Sequence, residues 1–503
     1  MSLILCFATS VLVMAACVKG ESTDANGSGG NSSRGGGFTG SDAAVSRDSG
    51  RGSGGGAAGI TASGGSETGG VMGSGGSGTA GRGSLGSGGS DAGGSGGAIG
   101  SAGSGAGGSG TGGSGPGICG GGSAMSGDVT VNLSSIQQRI SGFGASTAWG
   151  STMTAADAAT LWSTTTGAGL SLHRVRIDYT NGQTSEINIA KMAASYGVTV
   201  WATPWTPPIA DKSNGNAVEG TLTNGSAYAT FLTGFVSWMK GQGVNIYAVS
   251  AGNEPDANVT YESCAYTAAT MDSFISSYMG PAFAGTGVKI MAPETQNWCD
   301  FPNFEPTVVK DSYVSIIATH EYGCSPIAYP DIAQAGKEFW ETEIYDTANG
   351  TADPGMGSAL RVAKLINDAL TIANMNAWHY WWVYPNGDGN GALWDMGTNA
   401  PSKRLWVEGN YARFVRPGYE RVGTTGTPPD GVLLSAYTEP ATGIVVVVAI
   451  NNNTSVTPIA FYLSGTAPCS FTPWVTDASN SLTPKTAVSV KGGDSSTCSA
   501  PKA

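Results

Sequence analysis

The stretch Asn245-Ile-Tyr-Ala-Val-Ser-Ala-Gly-Asn-Glu-Pro-Asp256 opens as a short apolar strand and closes on an amide, a carboxylate and a proline. Just before it, Tyr228, Phe231, Leu232, Phe235, Val236 and Trp238 recur at helical spacing on one face, and Gly241 and Gly243 end the run. This strand-and-helix rhythm extends in both directions. Upstream lie strand-like 139–144, 172–178 and 198–204, with a helical pattern over 186–196. Downstream, apolar runs at 288–293, 314–320, 338–342 and 377–382 are separated by segments long enough for crossover helices. Eight short strands alternating with helices over roughly 290 residues predict a (β/α)8 barrel. No Gly-x-Gly-x-x-Gly turn follows any strand, which counts against an open doubly wound nucleotide fold.

The rhythm stops at both ends of this region. Beyond about residue 417, runs at 431–438, 443–450 and 458–463 read as strands with no helical period, which predicts a C-terminal β-sandwich packed beside the barrel. The strand-like run near Val129 precedes the barrel and is expected to pair with them. Before residue 127 the chain is Gly/Ser-rich and nearly free of large apolar side chains, so it cannot offset the entropy of ordering and reads as a flexible tether. Residues 1–17 form a short apolar run ending Val-Met-Ala-Ala-Cys17, which reads as an export signal. Either plain secretion or a lipid anchor on Cys17 fits it, with the tether holding the barrel off the cell surface. The expected divisions are therefore 1–17 signal, 18–126 linker, 127–420 barrel and 421–503 sandwich.

Charge and cysteine content exclude several classes of function. The 503 residues carry 24 basic and 36 acidic side chains, a formal net charge of -12 without any Lys/Arg run, so a nucleic-acid partner is not expected. No apolar stretch is long enough to span a membrane. The three histidines and the absence of Cys-x-x-Cys spacing give no metal centre, and no cofactor is expected. In an exported chain Cys119, Cys264, Cys299, Cys324, Cys469 and Cys498 are candidate disulfide partners, and Cys469 with Cys498 and Cys264 with Cys299 are the expected pairs. The chain is expected to work as a monomer.

In a barrel, functional groups gather where strands end. Two glutamates qualify. Glu254 follows the fourth strand, with Pro255 fixing the backbone behind it, and Glu343 in Trp340-Glu-Thr-Glu343 ends the seventh. Strands four and seven face each other across a barrel, so two carboxyls can converge on one bond. Cleavage of a glycosidic bond needs such a pair: one protonates the leaving oxygen, the other attacks the anomeric carbon or activates water. Glu338 and Glu341, beside Trp340, read instead as solvated or outward-pointing carboxylates.

Seven segments, in order along the chain, resemble glycoside hydrolase family 30, especially its microbial xylanases. They are Ile140-Ser-Gly-Phe-Gly144, Ala202-Thr-Pro-Trp-Thr-Pro-Pro208, Gly252-Asn-Glu-Pro-Asp256, Met291-Ala-Pro-Glu294, Thr319-His-Glu-Tyr-Gly323, Trp340-Glu-Thr-Glu343 and Tyr380-Trp-Trp382, with Arg413-Phe-Val-Arg-Pro-Gly-Tyr419 closing the region. The resemblance implies a retaining mechanism with Glu254 as acid/base and Glu343 as nucleophile. It also implies that Asn253 binds the sugar 2-hydroxyl and that Tyr322 hydrogen-bonds Glu343. Arg176, at the end of the second strand, is a candidate for positive charge near Glu343 or for a structural ion pair. Trp205, Trp381 and Trp382 are candidates for stacking on sugar rings. His320 and His379 are expected to be hydrogen-bonded structural groups.

The resemblance points to β-1,4-xylan as substrate. Relatives that require a glucuronic acid branch hold it with an arginine after the Trp pair of strand eight; here Trp381-Trp-Val-Tyr-Pro-Asn-Gly-Asp-Gly-Asn-Gly391 contains none. Lys403 and Arg404, further along, are the candidates to replace it. Cleavage of β-1,6-galactan, β-1,6-glucan or glucosylceramide, and non-catalytic carbohydrate binding, are the alternatives to xylan hydrolysis.

Overall fold

A computed structural model describes residues 2–7, 10–16, 124, 126–348, 352–384, 389–395, 397–465 and 470–490. Two short strands, β1 (Ser2–Phe7) and β2 (Ser10–Ala16), come first, followed by β3 (Val129–Arg139). Eight strands then form a closed barrel: β4 (Gly142–Ser146), β5 (Leu172–Ile177), β6 (Thr199–Pro204), β7 (Ile246–Ser250), β8 (Lys289–Asn297), β9 (Val314–Tyr322), β10 (Glu338–Glu341) and β11 (Ala377–Trp382). All neighbours in it are parallel, and β11 closes the ring against β4.

The predicted first barrel strand starts three residues late. Arg139 ends β3, and the chain turns through Ile140 and Ser141 before β4 begins at Gly142. The glycines of that segment are steric necessities. Gly142 has φ +143°, and a Cβ there would lie 2.4 Å from Ser171 Oγ; a Cβ on Gly144 would lie 2.4 Å from the Leu172 carbonyl oxygen. Glycine therefore lets β4 close tightly on β5.

The barrel floor is packed by Leu172, Trp201, Ala248, Met291, Ile316, Ala318, Trp340 and Ala377, inward residues of β5 to β11 with two from β9, all buried. Outside the ring the helices bury their apolar stripes. The helix Gly225–Gly241, capped by the Asn224 side chain on Ala227 N, buries Tyr228, Leu232, Phe235 and Met239.

After the barrel, the short pair β12 (Trp394–Asp395) and β13 (Ala400–Pro401) precedes the helix Lys403–Ala412. The strands β14 (Glu420–Thr425), β15 (Val432–Thr438), β16 (Val445–Asn451), β17 (Thr457–Ser464), β18 (Ser470–Thr476), β19 (Thr483–Pro484) and β20 (Val488–Ser489) follow. They join β1, β2 and β3 in one ten-stranded sheet, ordered β1-β17-β3-β14-β15-β16-β2-β18-β19, with β20 on β18. Phe461 of β17 and Phe471 of β18 stand near opposite ends of that order, yet their rings are 6.3 Å apart in one apolar core. The sheet therefore folds over on itself as a sandwich. Pairing of β3 with β14 and β17 bears out the expectation for the run near Val129. The opposite face of the sheet, with Tyr437, Val446, Val448 and Ile450, packs into the core of the barrel helices.

Residues 2–16, read from sequence as a leader, are seen here as β1 on β17 and β2 between β16 and β18, with Leu12 and Met14 buried. An apolar run of this kind suits either an export machinery or a place beside β16, apolar from Val445 through Ile450.

One expected disulfide is corrected. Cys299 pairs with Cys324, not with Cys264, which is buried and unpaired. Cys299 lies just beyond the end of β8 and Cys324 just beyond the end of the neighbouring β9, so barrel adjacency places their Cα atoms 5.5 Å apart. Cys264 instead follows β7, beside Tyr266. Cys119, Cys469 and Cys498 lie outside the described residues.

Candidate active site

The strand period of two decides what stands above the barrel floor. On β5, Leu172 belongs to the floor, so Arg174 is the next inward side chain and Arg176 reaches the rim. Arg174 is fully buried and ties the site together. Its Nη2 donates to Asn253 Oδ1 at 2.6 Å and lies 3.0 Å from Glu294 Oε1; its Nη1 donates to Glu343 Oε2; its Nε donates to Thr203 Oγ1 at 3.2 Å. With the Asn253 oxygen held by the guanidinium, its amide NH2 is turned the other way.

Glu254 and Glu343 meet above this cation. A carboxylate oxygen of each, together with a ring nitrogen of His320, all lie within 4.8 Å of one another. Such a separation matches the roughly 5–5.5 Å of a pair that works by double displacement and is too narrow for an intervening water. Both glutamates sit just past a barrel strand. Glu254 adopts φ +47° and Glu294 φ +58°, left-handed conformations that strain any residue with a Cβ. Backbone bonds hold them there: Glu254 N donates to the Glu294 carbonyl at 2.9 Å, and Asn253 N to the Pro204 carbonyl at 3.0 Å.

His320, inward on β9, faces three carboxylates. Its Nδ1 is 3.1 Å from Glu254 Oε1, and its Nε2 is 3.7 Å from Glu294 and 3.8 Å from Glu343. Burial alone would make the ring neutral, but Glu343, Glu254 and Glu294 outweigh it and push its pKa up to about 10. The ring is therefore an imidazolium. Two cations then face three carboxyls, and Glu254 and Glu343 titrate as an interacting pair.

Burial pushes Glu343 up, and Glu254 adds to this, while His320 and Arg174 pull it back; the net direction is upward. Burial also pushes Glu254 up, but His320, the Tyr261 hydroxyl and Arg174 bring it below the ordinary carboxylate range. The empty cleft thus favours the charged form of Glu254, whereas a proton donor must hold its proton until the leaving oxygen arrives. The donors that decide this are His320 on Oε1 and Tyr261 on Oε2.

The cleft above the pair is a cavity of ≈ 700 Å³ lined by Trp149, Trp205, Glu254, Tyr261, Gln296, Tyr322, Glu343, Tyr345, Trp381 and Trp382. Trp381 and Trp382 stack at 4.7 Å, and Trp149 meets Trp205 at 5.1 Å. Trp205 lies over the Arg174 guanidinium at 4.6 Å, which fixes its plane. Tyr322 donates to Glu343 Oε1 at 3.2 Å. Among the described residues Glu254, His320 and Glu343 form the one group that could hold a metal ion. Arg174 and the charged His320 already neutralise those carboxylates, so the residues present do not fit a cation well.

The structure gathers Asn253, Glu254, Trp205, His320, Tyr322, Glu343, Trp381 and Trp382 around this cleft. Of its two expected roles, Arg176 takes the structural ion pair. It does not reach Glu343; its Nε and Nη2 form a bidentate pair with Glu262, and its Nη1 lies 3.3 Å from Asp178. Positive charge on Glu343 comes from Arg174, two residues deeper on the same strand face. Lys403 and Arg404 do not reach the cleft either. Arg404 is buried against the carbonyls of Ala392 and Asp353, and Lys403 bonds Asn480 and Ser481 on the sandwich side. Glu341 is not solvated: it is fully buried, accepts from His379 N at 2.7 Å, and burial pushes its pKa up. Arg174, Glu294, Tyr261 and Trp149 were not read from sequence. Strand alternation from Leu172 could have found Arg174, and the end-of-strand position of Glu294 could have found it; the loop residues carried no such signal.

Two carboxyls at this spacing, at the carboxyl ends of β7 and β10, three strands apart in the ring, define a retaining glycoside hydrolase. The sequence profile of the glycosyl hydrolase family 30 TIM-barrel domain matches residues 169–390. The chain is 32% identical over 387 residues to glucuronoxylanase XynC of Bacillus subtilis strain 168, a match covering 73% of this chain and 87% of the relative. Among solved structures, the family 30 subfamily 8 xylanase Xyn30A of Clostridium acetobutylicum is 34% identical with a TM-score of 0.66, covering 73% of this chain and 95% of its own. A family 30 endoxylanase of Clostridium papyrosolvens C71 is 32% identical with a TM-score of 0.62, over the same shares. The chain belongs to glycoside hydrolase family 30.

Proposed function

We propose that this enzyme cleaves β-1,4-xylan by double displacement. Glu343 attacks the anomeric carbon while Glu254 gives its proton to the departing glycosidic oxygen, and the sugar becomes covalently attached to Glu343. Glu254 then takes a proton from water, whose oxygen displaces Glu343 and restores the original configuration. The observation that carries this reading is the approach of the two carboxylates, an oxygen of each within 4.8 Å, with Glu343 held at Oε2 by Arg174 and at Oε1 by Tyr322. Asn253 meets the 2-hydroxyl, a contact that strengthens as charge develops on the ring. The tryptophans of the cleft stack on the chain of sugars. The proposed mechanism needs no residue from a second copy, in keeping with a monomer.

No glucuronate is required. Among the described residues lining the cleft none is cationic, and Arg176, at its rim, is already paired with Glu262. A branch carboxylate would find no guanidinium to repay its desolvation. Digests of glucuronoxylan, arabinoxylan and unbranched xylan, weighed by mass spectrometry, are expected to show comparable initial rates on the first and last. Products that carry glucuronate at one fixed position would overturn this, and the absence of any product from unbranched xylan would redirect attention to β-1,6-linked glucans.

The same reading places the enzyme outside the cell. Cys299–Cys324 is a crosslink suited to oxidising compartments, and residues 1–17 carry the features of a leader ending at Cys17. N-terminal analysis of the protein from its native host is expected to find the chain starting at a lipidated Cys17, or beyond it if secretion is free. A mature chain starting at Met1 would keep β1 and β2 as strands of the sandwich and sink the export proposal.

A further inference from the structure

We propose that Tyr261 is a placeholder on the acid/base: its hydroxyl occupies Glu254 Oε2 in the empty enzyme and is displaced by the glycosidic oxygen when the leaving-group sugar binds. The proposal rests on the assignment of Glu254 as acid/base. Its starting point is the partition of Glu254's two oxygens. Oε1 faces His320 Nδ1 on a fully buried ring in the barrel wall, whereas Oε2 accepts from Tyr261, a residue 43% exposed on the loop after β7. A substrate oxygen entering from the cleft can reach only the second, and Tyr261 stands there.

The loop is built to return the tyrosine to that place. Glu262, its neighbour, forms the bidentate pair with Arg176 on β5, and Arg176 in turn lies 5.3 Å from the Trp149 ring across the cleft mouth. Ser263 accepts from Glu219 N, and its carbonyl accepts from Lys212 Nζ, so the segment after Tyr261 is anchored at three points while the phenol itself projects into the cleft. Gln296 on β8 supplies a second polar neighbour to the phenol. Its main-chain N–H is held by Asp256 Oδ1 at 2.9 Å.

Displacement has a chemical consequence. A hydroxyl donating to a carboxylate stabilises its charged form; a glycosidic oxygen, which has no hydrogen, can only accept. Exchange of one for the other removes a donor and supplies an acceptor, so it favours the protonated acid at the moment its proton is needed. The other charged or titratable groups facing Glu254 stay in place: His320 on β9, Arg174 on β5, Glu294 on β8, Glu343 after β10, Tyr322 on β9 and Asp256 on its own loop. The downward pull on Glu254 from the Tyr261 hydroxyl is then a property of the empty cleft alone.

The test separates free enzyme from complex. The pH dependence of kcat/KM reports the free enzyme and that of kcat the bound one. Tyr261→Phe is expected to move the alkaline limb of kcat/KM on xylan upward by about one pH unit, because a donor to the carboxylate is lost, and to leave the alkaline limb of kcat in place. Glu262→Gln, which loosens the anchor, is expected to move the first limb part of the way. A hydroxyl that stays on Glu254 throughout would shift both limbs alike, and a merely structural residue would lower both parameters without moving either limb; each result overturns the proposal. Glu254→Gln is the control for the reading beneath it. If that variant keeps full activity on xylan, the acid/base assignment fails; if it loses activity while Tyr261→Phe leaves both limbs unmoved, only the placeholder fails.

Discussion

Glu343→Ala is expected to lower kcat on xylan by about 10⁴-fold or more, with the fold intact, because the carboxylate forms the covalent bond on which both half-reactions depend. The side chain is packed between Arg174 and Tyr322, and its removal leaves a slot beneath the anomeric carbon. A small anion such as azide can enter that slot and attack from the same face, so an activated aryl xyloside should yield a glycosyl azide of inverted configuration. Glu254→Ala should behave differently. It loses about 10²- to 10⁴-fold on xylan, much less on an aryl substrate whose leaving group needs no proton, and azide there should give the retained product. Swapped azide stereochemistry between the two variants would reverse the roles, and near-normal turnover of xylan by either would remove that residue from catalysis.

Arg174→Met is expected to be the most destabilising single change in the site. The guanidinium is fully buried against Glu294, Glu343 and Asn253. Its loss strands two carboxylates in the interior beside a single imidazolium, a cost of about 3–5 kcal/mol in unfolding free energy, with turnover largely lost as Glu343 becomes protonated. The effect carries a sign in pH. Without the cation, Glu294 loses the charge that holds its folded-state pKa below the ordinary carboxylate range and Glu343, already shifted upward, rises further, so the deficit grows as pH rises past that range and shrinks as pH falls toward it. Urea midpoints of both proteins across that range measure this directly. A variant whose midpoint deficit is small, or does not vary with pH, would show that the barrel does not depend on this ion cluster.

The legible part of the molecule was what a strand or helix encodes along itself. Apolar periodicity marked every barrel strand, and the position just past a strand marked Glu254 and Glu343, because a barrel puts all strand ends on one face, while the family resemblance added Asn253 and Tyr322. Errors arose where one residue decides direction or where partners come from distant segments. Arg176 drew attention because it stands at the end of its strand and Arg174 was passed over, yet counting inward from Leu172 in twos places both on the interior, and depth selects Arg174. Cys299 found Cys324 because β8 and β9 are neighbours, a fact of barrel order that cysteine spacing does not contain. Lys403 and Arg404 were candidates by proximity in sequence, but their helix turns both side chains away from the cleft, into the loop carbonyls and the sandwich.

By itself, then, the amino-acid sequence determined the barrel, the flanking sandwich and the two glutamates, since periodicity and strand-end position are local properties that survive in one dimension. Only the tertiary structure decided which cation grips Glu343, that His320 is charged, and that a tyrosine from the loop after β7 rests on Glu254. Those depend on charges brought within a few ångströms from five different strands in a water-poor interior, where Coulomb interactions are strong and no sequence separation reports distance.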